Sequence, residues 1–296
     1  MLHFAEVPIG RAGALHCRRC TTGGGETLRD VSDVAADIAA AVRDWDDGAG
    51  PNVSLTGIEP FRHPALADLI AEAVRVGAVR LRLDTDCAAL GAPETARATI
   101  DAGVRHVRFT LLGSTPELHD ALAGVPGGFA ATMHGVRTFV ETAAETETPV
   151  HVAARVPVCR HDLHDLPGTV TAAARAGATS VLLVVEDTDL ELRSAAPWLG
   201  AACDSGIVNG TWVEVEGVPY GLAPGWELHL AWLYRPVASM KSALCGPCPL
   251  DPMCSGAVPG AADSVTSAFR PPVDARSIAD AVSRGFSYPE GVVSGG

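Results

Sequence analysis

The chain has 296 residues, enough for one large domain with a small appendix, and proteins of this size bury about three quarters of their unfolded surface. Its 22 Lys and Arg against 35 Asp and Glu leave a net charge of -13, and no basic cluster is long enough to track a phosphate backbone, which excludes a nucleic-acid partner. The first residues lack a basic segment followed by a long apolar one, and the longest apolar run elsewhere, "VLLVV" at 181–185, is too short to span a bilayer. The expectation is a soluble, cytoplasmic protein with no membrane partner. In a reducing compartment, short cysteine spacings point to metal or redox sites more than to disulfides. Cys17 and Cys20 lie near one end, Cys245, Cys248 and Cys254 near the other, and Cys87, Cys159 and Cys203 are single.

In chain order, β-rich runs alternate with amphipathic stretches. A first strand, "HFAEVPI", precedes a helix with Val31, Val34, Ala35, Ile38, Ala41 and Val42 at helical spacing, introduced by a cap-like Thr27-x-x-Asp30. "NVSLT" follows, then a helix carrying Leu66, Leu69, Ile70, Ala73 and Val74, then strands at "AVRLRLDT", "HVRFTLL", "VHVAARVPV" and "TSVLLVVED", separated by apolar-periodic helices. About six βα units are too few for a closed eight-unit barrel and suit an open one. The predicted fold class is α/β, an open partial (β/α)6 TIM-like barrel over residues 1–206. Residues 207–296, introduced by "TWVEVEGVPYG" and rich in Gly, Pro, Trp and Cys, form a small C-terminal extension with a loose tail. In such folds ligands bind at the carboxyl ends of the strands.

Those strand ends resemble the radical SAM superfamily. Its members usually start with CxxxCxxC after the first strand, and here "AGALHCRRC" matches with Cys17 and Cys20 but with Gly13 at the first cysteine. The family's GGEP motif becomes "TGIEP", keeping Glu59 and Pro60 with Ile58 for a glycine, and its NTNG becomes Asp84-Thr85-Asp86-Cys87. The segment from Ala102 to Glu141 resembles the family's fourth strand and helix, with Leu112 where an aspartate is usual. "CGPCPLDPMCSG" resembles the auxiliary-cluster segment of the twitch and SPASM subgroup, whose members often modify peptides, with Gly221 where short relatives carry a further cysteine.

A 4Fe-4S cluster is normally held by four thiolates, and the resemblance implies three, with S-adenosylmethionine (SAM) on the fourth iron. Gly13 leaves two, so a labile or absent cluster is expected unless Cys87, His16 or a partner protein supplies a ligand. The favoured reading of Cys87 is a small, partly buried residue replacing glycine, and that of Cys17 with Cys20 is two free thiols on a flexible loop. Cys245, Cys248 and Cys254, at CxxCx5C, suit an iron-sulfur cluster or zinc, with His229 or Cys203 as a fourth ligand, or a vestigial metal-free loop. The resemblance gives Glu59 the amino group of SAM; by itself it is a strand-end carboxylate satisfied by backbone donors. "CRHDLHD" (Cys159, His161, His164) reads as a structural loop, and Gly23 to Gly25 form no phosphate loop because no GK[ST] follows.

Three functions follow as expectations. The first is a degenerate radical SAM-like pseudoenzyme that binds a peptide, a small metabolite or an active radical SAM partner in peptide maturation. The second is an atypical active enzyme modifying a peptide. The third is non-radical binding of SAM or another nucleotide.

Overall fold

The structure, a computed structural model, describes residues 3–11, 27–45, 50–185, 190–230, 245–251, 254, 256 and 276–277. Gly13, His16, Cys17, Cys20 and Gly23 to Gly25 lie outside the described residues. Nine strands occur among the described residues: β1 (Ala5–Pro8), β2 (Gly10–Arg11), β3 (Thr27–Leu28), β4 (Asn52–Thr56), β5 (Arg80–Asp84), β6 (His106–Thr110), β7 (His151–Val158), β8 (Ser180–Val185) and β9 (Trp212–Glu216). The helices are α1 (Val31–Arg43), α2 (Leu66–Arg75), α3 (Pro93–Asp101), α4 (Pro116–Ala123), α5 (Gly128–Glu145), α6 (Leu166–Ala176) and α7 (Leu192–Asn209).

Seven strands form one open parallel sheet in the order β1-β4-β5-β6-β7-β8-β9, and β2 and β3 form a separate antiparallel pair. The alternating βα pattern read from the sequence is the observed architecture. The seventh strand, β9, comes from "TWVEVE" and pairs in parallel with β8, from Ser180↔Trp212 to Val184↔Glu216. No helix among the described residues is long and apolar enough to cross a membrane.

The chain divides into two compact units, one of residues 2–154 with 175–178, the other of residue 1, 155–174 and 179–296. In the first, register fixes which side chains share a face. Glu6 pairs with Ser54, Ser54 with Arg82 and Arg82 with His106, so these four form one row; Asp84 and Arg108 pair in the row above. The alternate positions, Val7, Val53, Leu55, Leu81, Leu83, Val107 and Phe109, are buried apolar residues on the opposite, helix-covered face. Helix α1 covers β1 and β4, and α2 covers β5. Asp30 is the N-cap of α1, its carboxylate accepting from Ser32 N–H at 2.8 Å, while Thr27 of the expected cap pattern belongs to β3. In the second unit β8 is buried at every position, as expected of a parallel strand covered on both faces.

One close approach controls how α5 meets the turn after β5. A Cβ on Gly135 would lie 1.8 Å from the carbonyl oxygen of Cys87, a backbone atom that cannot rotate away. Gly135→Ala should therefore destabilise the protein by about 2–3 kcal/mol, at the upper end for overpacking. Urea unfolding reads this as a lower midpoint; an unchanged midpoint would mean that α5 does not sit this close.

Candidate functional site

The carboxyl ends of β4 and β5 are tied together by one side chain. Gly57, with φ 98, turns the chain after β4, and a Cβ there would meet the Gly10 carbonyl oxygen at 2.3 Å. Ile58, where the motif has a second glycine, is buried beside Gly10. Glu59 then caps a short 3-10 turn, Pro60–Arg62, accepting from Phe61 N–H at 3.3 Å. Its carboxyl group also accepts from the Thr85 hydroxyl at 2.7 Å and from Asp86 N–H at 2.7 Å. Thr85 in turn accepts from Cys87 N–H at 3.0 Å, and Asp86 from Ala88 N–H at 2.9 Å. Burial first, then the Asp86 charge, raises the Glu59 pKa from 4.5 to about 7 against the opposing pull of these donors.

Cys87 has φ 64, the left-handed conformation that a glycine at the end of NTNG adopts without strain. It is fully buried, and its thiol faces the Thr85 carbonyl at 4.0 Å. Burial, then the charges of Glu59 and Asp86, push its pKa well above the ordinary value. A cluster ligand must be a thiolate, which this setting disfavours. Leu112, where the motif has an aspartate, is buried, and its N–H donates to His119 Nδ1 at 3.2 Å.

Below these strand ends lies a charged row that sequence reading did not single out. Asp84 Oδ1 accepts from Ser54 Oγ at 3.1 Å and Arg82 Nε at 3.1 Å, and Arg82 Nε also reaches Ser54 Oγ at 2.9 Å. Asp84 Oδ2 accepts from Arg108 Nε at 3.0 Å and from Arg108 Nη2. Glu6 Oε1 accepts from Arg108 Nη2 at 2.8 Å and lies 3.7 Å from Arg82 Nη2. Arg82 and Arg108 are only 4% and 8% exposed, and the Arg82 guanidinium lies 4.3 Å above the Phe4 ring. Burial would lower the Arg108 pKa, but Asp84 and Glu6 together outweigh it and raise it. Beside them His106 falls to about 3, through burial and the nearby His151, Arg80 and Arg82, so it is neutral. The visible signal was the alternation Arg-Leu-Arg-Leu-Asp over residues 80–84.

In the second unit, Cys245, Cys248 and Cys254 are partly exposed. Cys248 N–H donates to the Cys245 carbonyl and Cys254 N–H to that of Leu250, both at 2.8 Å. His229 is buried and stacked on Trp212 at 4.8 Å, with Nδ1 2.7 Å from the Val213 carbonyl. A carbonyl only accepts, so Nδ1 carries the proton, the arrangement common in metal-binding imidazoles. Cys203 is buried in α7, its thiol pushed up to about 12 by burial and then Asp204. Gly221 lies in a 3-10 turn, Tyr220–Leu222, beside a Tyr220 hydroxyl that is buried without a hydrogen-bond partner among the described residues. No group of three or more His, Cys, Asp or Glu among the described residues is placed to hold a metal ion. The structure thus gathers neither His229 nor Cys203 with the three cysteines into such a group.

No protein-family model matches the chain. It is 29% identical over 147 residues to the PqqA peptide cyclase of Ruegeria pomeroyi, covering 48% of this chain and 37% of that protein. It is 25% identical over 169 residues to the AdoMet-dependent heme synthase of Methanosarcina barkeri, covering 56% and 44%. The chain therefore spans less than half the length of these relatives. Streptococcus suis SuiB bound to the precursor peptide SuiA superposes with a TM-score of 0.52 at 12% identity, over 69% of this chain and 46% of SuiB. SuiB bound to S-adenosylmethionine gives 0.50 at 13% identity, over 69% and 44%; at such identities the likeness is one of fold. The two relatives and the shared fold, together with the order of the strand-end motifs, relate this chain to the radical SAM superfamily.

Proposed function

We propose that the chain is a radical SAM homologue that uses its barrel for binding, with a peptide as the favoured ligand class, and does not cleave SAM in the usual way. The observation that carries this reading is the donor set. The cysteine motif offers Cys17 and Cys20 with Gly13 in the first position, and the thiol of Cys87 is buried with a pKa well above the ordinary value. Two thiolates do not fit a cluster that needs three from protein, so no reaction step is assigned to one. The Glu59 carboxyl group is engaged by Phe61, Thr85 and Asp86, and a group protonated up to about pH 7 offers an ammonium ion little charge. A peptide is favoured because one relative is named a peptide cyclase and one structural neighbour is a complex with a precursor peptide. A small metabolite or an active partner enzyme in peptide maturation would use the same barrel. The C-terminal cysteines have the right donor chemistry for zinc or iron-sulfur, but a loaded site would have to draw their side chains together.

Iron, sulfide and zinc content with electron paramagnetic resonance, on anaerobically reconstituted parent and Cys17→Ala/Cys20→Ala protein, tests the reading. The two proteins should hold equal metal, with no signal that responds to SAM. A parent signal that changes on adding SAM and vanishes in the variant would overturn it.

Glu59 gives a separate test. The folded protein keeps the Glu59 proton to about pH 7, whereas the unfolded chain releases it near 4.5. Unfolding thus releases a proton within that window, so this group's contribution falls as pH rises through it and levels off above. The parent should lose about 1–2 kcal/mol across the window relative to Glu59→Gln, after allowance for partial exposure. Urea titrations at a series of pH values measure the difference. Parallel curves would mean that Glu59 is ionised throughout, and open to a cation.

A further inference from the structure

The Tyr220 side chain is 2% exposed, and its hydroxyl is buried with no hydrogen-bond partner among the described residues. A buried phenol usually finds a partner, so one left over marks a place where an acceptor is due. Burial first, then the charges of Cys254 and Glu227, raise the Tyr220 phenol well above its ordinary pKa. Both groups belong to the same compact unit as Tyr220. The Glu227 carboxylate already accepts from Gly225 N–H at 3.0 Å. The Cys254 sulfur accepts from Gly256 N–H at 3.5 Å, and Gly256, with φ 68, turns the backbone that presents this donor. A thiol is a weak acceptor, and beside it a hydroxyl gains little. A thiolate is a charged acceptor, whose hydrogen bonds are about twice as strong.

A bound metal ion is what makes a cysteine a thiolate at neutral pH. Cys245, Cys248 and Cys254 are three sulfurs at CxxCx5C spacing. That is one short of the four thiolates that normally hold a 4Fe-4S cluster, whereas zinc accepts three protein ligands and a water. We propose that these three cysteines hold zinc and that the Tyr220 hydroxyl donates to the Cys254 sulfur in the loaded site, as a positioning residue and not as a ligand. On binding, the thiols release their protons to solvent. Three thiolates on a divalent ion leave excess negative charge, which the Gly256 N–H and the Tyr220 hydroxyl offset. No such group of side chains is gathered among the described residues, so loading draws Cys245 and Cys248 toward the sulfur that has these donors. The proposal goes beyond the barrel reading and does not depend on it.

The test uses the full chain carrying Cys17→Ala and Cys20→Ala, so that metal held by the first motif does not contribute. Zinc affinity is read by competition with a chromophoric chelator, and cobalt serves as a coloured substitute whose sulfur-to-metal absorption reports the thiolates. One zinc should bind, and Cys254→Ser should lose it. Tyr220→Phe keeps the ring and removes the hydroxyl. Its zinc affinity should fall about tenfold to a hundredfold, the usual range for an outer partner of a metal ligand. Its cobalt absorption should move to longer wavelength, because a sulfur relieved of a donor gives up its electrons more readily. Without metal its urea midpoint should be no lower than the parent's, since the hydroxyl has no bond to lose. No zinc bound, zinc retained in Cys254→Ser, or unchanged affinity and absorption in Tyr220→Phe would overturn the proposal. So would a lower metal-free midpoint or failure of Tyr220→Phe to fold, either of which makes the hydroxyl a structural group. A SAM-responsive signal that depends on Cys17 and Cys20 would overturn the barrel reading and leave this site standing, because the protein titrated lacks both.

Discussion

Asp84 is the residue on which the charged row of the first unit depends. Two guanidinium groups buried to 4% and 8% exposure cannot be neutralised by deprotonation, because arginine holds its proton at any ordinary pH. They must be paired in place. Asp84 does this from the last position of β5, with one oxygen turned to Arg82 and Ser54 and the other to Arg108 on the next strand. The parallel register sets that placement, since Asp84 pairs with Arg108 and Arg82 with Ser54 across neighbouring strands. A slip of one residue would turn these charges to the helix-covered face and Leu81 and Leu83 to the polar one. The ion pairs and the apolar layer thus select the same register.

Directly above, the Glu59 cross-link makes the strand ends a single unit. Its carboxyl group joins the turn after β4 to Thr85 and Asp86 after β5, and the backbone continues the coupling, with Thr85 N–H donating to the Arg108 carbonyl at 2.9 Å. The same bonds hold Cys87 in its left-handed conformation against α5. A residue that the family resemblance assigns to ligand binding here has a sufficient structural reason to be a glutamate. That reason and ligand binding draw on the same lone pairs, so the more completely Glu59 serves the turn, the less it can offer a cation.

Much of the fold was legible because it is written in local periodicity. The runs from "NVSLT" to "TSVLLVVED" became strands, and Val34 and Ile38 lie on the buried face of α1. β9 was harder to place, since "WVEVE" alternates like an exposed strand and its turn-rich surroundings look like a new region; its pairing with β8 is a long-range fact. At the site, Glu59 was visible through its motif, but its three donors come from a turn and a strand end that sequence does not bring together. Arg82 and Arg108 went unremarked because Arg in a strand reads as a solvated face. Only the register shows that they converge on one carboxylate.

The two halves of the site differ in how they tolerate change. The motif with Gly13 in its first position stands in a chain whose described strands form an ordinary open parallel sheet. The charged row has no such freedom: removing Asp84 would take from two buried cations the carboxylate that bonds to both, and removing Arg108 would leave Asp84 without two of its donors, each change costing about 3–5 kcal/mol. The presence of Asp84 and Arg82 therefore says little about function, because stability alone would keep them. Glu6, half exposed, bridges the row at its solvent edge, accepting from Arg108 Nη2 at 2.8 Å and lying 3.7 Å from Arg82 Nη2.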